Sequence, residues 1–292
     1  MTNVPEPPEG ESGKMKCRLD NITVHYKLRG EGRPLLALHG MPLDHRSMMD
    51  AIEPLFRKRR DWMRIYPDLP GMGRTKGPDW LSRQDQVLDT LVTFIDRVIP
   101  GQRFCVAGLS YGGLLAQGLV QRVGERMDGV FLVVPSMGPK AKRDLPPQRV
   151  LRRDELDCTG LSAADEASFG TIAVIQTQDK LDAWKKSILP GIAVADNAFV
   201  SRLEENYEFS FDITRPSGPF MKPALFLLGR QDNVCGYRDA WKTFENYPRA
   251  TFAVLDRAGH CLGPGMEEEK LYMALAANWL DRVEEASPRS KE

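Results

Sequence analysis

The sequence predicts an α/β chain, a mostly parallel sheet with helices packed on both of its faces. Three observations carry that expectation. Short apolar runs alternate with stretches whose apolar residues recur at helical spacing, the order in which parallel strands and their covering helices are laid down. One strand-to-helix junction is the five-residue turn Gly108-Leu109-Ser110-Tyr111-Gly112. The alternation then breaks down between residues 136 and 223, which reads as an insertion between two strands of the sheet.

Taken in order, residues 15–28 alternate weakly and read as antiparallel entry strands. Pro34-Leu35-Leu36-Ala37-Leu38 is a continuous apolar run, the pattern of a strand covered on both faces. It runs directly into His39-Gly40-Met41-Pro42. Residues 47–57 fit a helix carrying Met48, Ile52, Leu55 and Phe56, and Met63-Arg64-Ile65-Tyr66 is a short strand ending at Pro67. Between 82 and 99 the apolar positions Val87, Leu88, Leu91, Val92, Ile95 and Val98 recur at helical spacing, with Ser82 as N-cap and Pro100 as stop. Residues 129–134 read as another buried strand, as do Pro223-Ala224-Leu225-Phe226-Leu227-Leu228 and Thr251-Phe252-Ala253-Val254-Leu255. The last helix, about 265–285, turns Leu271, Leu275, Ala276, Trp279 and Leu280 inward.

The inserted stretch carries helical segments at 164–176 and 178–188, punctuated by Pro139, Pro146, Pro147, Pro190 and Gly191. Its Phe169, Ile172, Ile175, Trp184, Phe199 and Tyr207 either line a pocket or, for most of them, pack the insertion onto the core. The basic residues Lys140, Lys142, Arg143, Arg149, Arg152 and Arg153 open it, and the interspersed Asp144, Asp154 and Glu155 favour a solvated face over an anion clamp.

Bulk properties remove several classes of function. In 292 residues, 40 basic and 40 acidic side chains cancel, so nothing global points to nucleic acid or an anionic membrane surface. No apolar stretch approaches the roughly 18 residues of a membrane span. Residues 1–14 lack an apolar segment and read as a disordered leader, with 287–292 as a disordered tail. Five cysteines without a C-x-x-C pair suggest reduced thiols and a cytoplasmic setting. A homodimer is compatible with all of this.

The chemistry is concentrated at the turn. A serine hydroxyl is a poor nucleophile unless it is held exposed beside a base, and a sharp reversal from strand to helix exposes it. The crowded backbone of such a reversal needs neighbours without side chains, which Gly108, Gly112 and Gly113 supply. An acid and a histidine should follow in that order, each after a strand. Gly229-Arg230-Gln231-Asp232 and Asp256-Arg257-Ala258-Gly259-His260 meet that requirement. Asp256 lies too close along the chain to reach around the imidazole, and Asp239 is expected on a following helix facing solvent. Asp68 and His39 read as loop architecture, and Cys235 and Cys261 as small pocket or core residues that are not spaced for zinc, Cys261 being open to alkylation.

With these residues the chain resembles the α/β-hydrolase superfamily, in its capped serine-hydrolase branch, over roughly residues 20–285. His39-Gly40-Met41-Pro42, the loop from Asp68 through Thr75, the turn from Gly108 to Gly113, Gly229-Arg230-Gln231-Asp232 and Gly259-His260 carry the resemblance. It implies an eight-stranded, mostly parallel sheet formed by 15–136 and 221–286, with a helical cap at 137–220. It also implies Ser110 as nucleophile, His260 as general base, Asp232 as the acid that orients it, and the backbone amides of Met41 and Tyr111 as the oxyanion hole. The expected activity is hydrolysis of a small to medium apolar carboxylic ester through an acyl-enzyme, with no cofactor and no metal and with a small acyl compound as partner. Lactone, thioester and carbon–carbon hydrolysis use the same side chains, although Leu109 and Cys261 stand where carbon–carbon hydrolases usually carry asparagine and an aromatic. A ligand receptor that turns over slowly is the reading from a different class.

Overall fold

The computed structural model describes residues 15–216 and 218–286; the expected leader and tail lie outside them. The chain runs through β1 (Met15–Arg18), β2 (Thr23–Arg29), β3 (Arg33–Leu38), α1 (His45–Phe56), β4 (Trp62–Pro67), α2 (Gln84–Val98), β5 (Phe104–Leu109), α3 (Tyr111–Val123) and β6 (Met127–Val133). The inserted stretch follows, with β7 (Arg152–Arg153), α4 (Ala163–Ile172), β8 (Ile175–Gln176), α5 (Gln178–Ser187), α6 (Leu189–Ile192) and α7 (Asn197–Glu205). The chain then returns through β9 (Ala224–Gly229), α8 (Arg238–Trp241), β10 (Ala250–Leu255) and α9 (Glu269–Ala286).

Eight strands form one sheet in the order β1-β2-β4-β3-β5-β6-β9-β10. β2 pairs antiparallel with β1 and β4, and every other neighbour in the sheet is parallel. The mostly parallel sheet that the apolar runs predict is therefore observed. Because side chains alternate across a strand, each central run feeds two cores at once. Leu36, Leu38, Val106, Leu132 and Phe226 face α2 and α3, while Leu35, Ala37, Ala107, Phe131 and Leu225 face α1 and α9. Each fully buried aliphatic or aromatic side chain contributes roughly 1.5–3 kcal/mol. The sheet is thus held from both sides, and its strand ends are fixed platforms.

Two expectations are corrected at helix ends. α2 starts from Arg83 rather than Ser82, because Gln86 Oε1 accepts from the backbone N–H groups of both Ser82 and Arg83, at 2.9 and 3.0 Å. α9 turns Tyr272, Ala276, Trp279, Leu280 and Val283 inward, whereas Leu271 is 47% exposed. Ala276, Trp279 and Leu280 face inward as expected; Tyr272 is buried in place of Leu271, and Tyr272 and Trp279 both pack on Phe131 of β6.

The stretch between β6 and β9 holds four α-helices and a short 3-10 turn at Lys140–Lys142 among the described residues, and β7 pairs with β8 outside the main sheet. Phe169, Leu181 and Trp184 form a small core of their own with Met266. α7 instead docks on the main core. A Cβ on Gly71 or Gly77 would lie 2.1 or 2.2 Å from the Phe199 ring, so those two positions must be glycine for the helix to seat.

Candidate active site

Ser110 occupies the reversal between β5 and α3 with φ 53° and ψ −111°. A non-glycine residue held there stores on the order of 1–3 kcal/mol of strain. The surroundings hold it. The Ser110 N–H donates to Val133 O at 2.9 Å, and its carbonyl accepts from Gly113, Leu114 and Ser136 at 2.9, 3.2 and 3.0 Å. The glycines are needed for space. A Cβ on Gly108 would lie 2.4 Å from Gly112 O, one on Gly112 2.1 Å from Leu38 O, and one on Gly113 2.6 Å from Pro135 Cβ. Leu38 O belongs to a central strand that cannot move aside. Gly112→Ala is therefore expected to cost about 3 kcal/mol or more of stability, read as a lower urea midpoint, or to prevent folding.

Asp232 and His260 arrive from the loops after β9 and β10. His260 Nε2 lies 3.0 Å from Ser110 Oγ, and His260 Nδ1 lies 3.0 Å from Asp232 Oδ2. The other carboxylate oxygen accepts from the N–H groups of Val234 and Cys235, both at 2.9 Å, and Asp232 is fully buried. An acceptor at Nδ1 places the imidazole proton there and leaves the Nε2 lone pair facing the serine hydroxyl. The three residues that the sequence singled out are thus brought into one hydrogen-bonded row.

The competing carboxylates stay out of reach. Asp256 is exposed, with its carbonyl accepting from Gln231. Asp239 lies in α8 as expected but does not face solvent: it is 9% exposed, accepts from the Asp144 N–H at 2.8 Å and pairs with Lys242 at 2.6 Å. His39 is fully buried, its Nε2 accepting from the Leu69 N–H at 2.9 Å and its Nδ1 donating to Gly40 O at 2.8 Å. Burial pushes its pKa down, so it remains a neutral brace. Asp68 accepts from His45 Nδ1 at 2.7 Å and the Arg74 N–H at 3.0 Å, which makes it the tie of its loop.

Met41 and Tyr111 line the same cavity as Ser110. The Gly40–Met41 loop crosses so closely that a Cβ on Gly40 would lie 3.3 Å from Ser110 Cβ. The Tyr111 N–H is the first amide of α3, one of those a helix leaves without an internal acceptor. Its phenol donates to Gln84 Oε1 at 2.6 Å, which fixes the ring beneath the turn.

Residues 35–269 match the model of the Alpha/beta hydrolase family. This chain belongs to that family. The hydrolase is 23% identical over 260 residues to a pimeloyl-[acyl-carrier protein] methyl ester esterase of Legionella pneumophila (strain Paris), covering 82% of this chain and 92% of that protein. It is 22% identical over 278 residues to the AB hydrolase superfamily protein YisY of Bacillus subtilis (strain 168), covering 89% and 96%. A solved structure of an alpha/beta superfamily hydrolase from Oenococcus oeni PSU-1 superposes with a TM-score of 0.83 at 29% identity, covering 92% of this chain and 99% of that one.

In this hydrolase Ser110 and His260 open onto a cavity of about 630 Å³, walled largely by apolar side chains such as Met41, Leu43, Met48 and Leu109. The inserted stretch contributes Ile172, Trp184 and Tyr207 to the wall. The other three pack, the outcome expected for most of the six. Phe169 stands edge-on to Trp184 at 5.9 Å, Ile175 is buried in β8, and Phe199 sits on the Gly71 loop. The basic cluster also divides. Lys142 pairs with Glu208 and Arg152 with Asp154 at the surface, as a solvated face requires. Arg143 turns inward and lines the cavity, which the mixed charges of that segment did not disclose.

Among the described residues, two groups of side chains approach closely enough to share a cation, Asp232–Cys235–His260 and Asp44–His45–Asp68. Hydrogen bonds within the protein already engage both. Burial pushes the Cys235 thiol up to about 12, so it stays protonated beside Ser110, 3.7 Å away. In the second group Asp44 is held by Arg46 and Asp68 by His45. Cys261 lines the cavity, and burial and the charge of Glu267 raise its pKa, which lowers its thiolate fraction.

Glu267 is a residue that sequence reasoning missed. It is 2% exposed and accepts from the N–H groups of Val174, Ile175 and Gly259 at 2.5, 3.0 and 2.5 Å. One carboxylate thereby ties the inserted stretch to the residue preceding His260. Glu267→Ala leaves three buried donors without an acceptor and is expected to cost about 3 kcal/mol or more, seen as a lower urea midpoint. Burial pushes the Glu267 carboxyl up to about 7 against these three donors, which hold it down. Between 4.5 and 7 the folded chain then binds more protons at this site than the unfolded chain, so its contribution to stability falls as pH rises. The gap in urea midpoint between wild type and Glu267→Gln is expected to narrow across that window.

Proposed function

We propose that this protein is a cofactor-free serine esterase acting on small to medium, largely apolar acyl groups. The observation that carries the reading is the row Ser110–His260–Asp232, with Ser110 Oγ 3.0 Å from His260 Nε2 and His260 Nδ1 3.0 Å from Asp232 Oδ2, opening onto a largely apolar cavity. Ser110 Oγ attacks the ester carbonyl carbon while His260 Nε2 takes its proton. Asp232 keeps Nδ1 protonated and stabilises the imidazolium that forms. The backbone N–H groups of Met41 and Tyr111 receive the developing oxyanion, each contributing roughly 3–4 kcal/mol to lowering the barrier. His260 returns the proton to the departing alkoxide, and an alcohol leaves. Water deprotonated by His260 then attacks the acyl-enzyme and frees the carboxylic acid.

Residues 137–220 act in this reading as a cap that roofs the cavity, and the enzyme works in the cytoplasm. No described helix is long and apolar enough to cross a membrane. The likeness to a methyl ester esterase supports a small leaving alcohol. Steady-state hydrolysis of p-nitrophenyl esters of graded acyl length tests the proposal. kcat/KM is expected to rise with chain length and then fall once the acyl group outgrows about 630 Å³. Absence of turnover across the series, with a ligand that binds and is never consumed, overturns it in favour of a receptor.

A further inference from the structure

Arg143 is a cation that the esterase mechanism does not use. It lines the cavity and, among the described residues, pairs with no carboxylate. Its contacts are all neutral. Nε donates to Gly138 O at 2.8 Å, Nη1 to Val234 O at 2.9 Å, and Nη2 to Ser136 Oγ at 3.0 Å. The guanidinium carbon stands 5.2 Å from the centroid of Tyr207, over the ring. Its remaining contacts are the soft sulfur of Cys235, 3.9 Å from Nη1, and the Tyr207 side chain, neither of them charged. That sulfur is 3.7 Å from Ser110 Oγ, so the guanidinium lies two contacts from the nucleophile.

The acids nearby do not neutralise it. Asp144, the next residue, pairs with Arg238 at 2.6 Å, and Asp232 is engaged with His260. Glu204 stands exposed at the cavity wall, and Asp50 accepts from Ser187 Oγ at 2.5 Å. A partly desolvated guanidinium whose partners are all neutral is a receptor for a planar anion. Lys140 also lines the cavity but is exposed, so Arg143 is its part-buried cation. A planar fork of this kind suits a carboxylate better than a phosphate dianion, which needs several donors. Its distance from Ser110 sets the substrate's length.

We propose that Arg143 binds a carboxylate at the far end of the acyl chain, so that the preferred substrates are half-esters of short dicarboxylic acids. This rests on the esterase reading above and gives it a substrate class. The ester carbonyl sits at Ser110, and a spacer of a few methylenes crosses the apolar floor to the guanidinium. Arg143 does not touch the reacting atoms; it sets which acyl chain is held.

The test compares monomethyl succinate, glutarate and adipate with the methyl esters of monocarboxylic acids of matching chain length. In the wild type, kcat/KM is expected to favour at least one half-ester over its neutral counterpart. Arg143→Met is expected to lower that ratio roughly 10- to 100-fold, whatever it does to turnover of the neutral ester. Arg143→Lys, which keeps the charge without the fork, recovers part of the ratio and guards against a variant that fails to fold. In parallel, calorimetry follows glutarate binding to the Ser110→Ala protein, with and without Arg143→Met. Glutarate that binds and is lost with Arg143, while no ester is hydrolysed, sinks the esterase reading and keeps the anion site. Hydrolysis of both ester classes with a ratio unmoved by Arg143→Met, and no glutarate binding, overturns the inference and leaves the esterase standing.

Discussion

Ser110→Ala is expected to lower kcat for ester hydrolysis by at least about four orders of magnitude with little change in KM. The hydroxyl is the group His260 Nε2 is aimed at, 3.0 Å away, and an alanine methyl leaves the base with nothing to deprotonate but water. KM holds because the cavity wall is untouched. His260→Ala is expected to match that loss, since an unactivated serine is nearly as inert as an absent one. The double variant should then be no worse than either single one. Steady-state kinetics on the three proteins checks this. Losses that multiply in the double variant would mean that the two side chains act independently, against the proposed mechanism.

Asp232→Asn is expected to cost roughly three to four orders of magnitude in kcat with almost no change in shape. The reason lies in the fixed donors around the carboxylate. The Val234 and Cys235 N–H groups both point at Oδ1 and hold an oxygen there. An asparagine must therefore turn its NH₂ toward His260 Nδ1, now an acceptor. The imidazole proton moves to Nε2 and faces Ser110, where a lone pair is required. Nitrogen chemical shifts of His260 should report protonation at Nδ1 in the wild type and at Nε2 in the variant. A variant that keeps its Nδ1 proton but loses activity equally would place the role of Asp232 elsewhere.

The strands and the turn were legible because their causes are local. A parallel strand covered on both faces has to be apolar at consecutive positions, as in 34–38 and 104–107, and a reversal as tight as that at Ser110 excludes side chains at Gly108, Gly112 and Gly113. The row of Ser110, Asp232 and His260 was legible because each follows a strand that such a run identifies. What escaped depends on partners far along the chain. Arg143 looks like its basic neighbours in sequence and differs because Val234 O and Tyr207 take it inward. Glu267 sits among Glu268 and Glu269 as one more acid, and three amides, two of them from the inserted stretch, set it apart. The burial of Tyr272 in place of Leu271 in α9 has the same origin. Leu271 and Tyr272 are both apolar enough to be buried, and Phe131 on the neighbouring strand decides between them.

Glu267 also bears on how such a protein can change over generations. The row at Ser110 is delivered by turns of the sheet, whereas Ile172, Trp184, Arg143 and Tyr207 come from a stretch that leaves after β6 and rejoins at β9. Most drift in that stretch alters which molecules are admitted and spares the reacting groups. The exception is the segment at Val174 and Ile175, because its amides share one carboxylate with the backbone of Gly259. Change in the walls of the chamber therefore reaches the histidine's loop along two routes, this shared carboxylate and the packing of Phe169 and Trp184 with Met266.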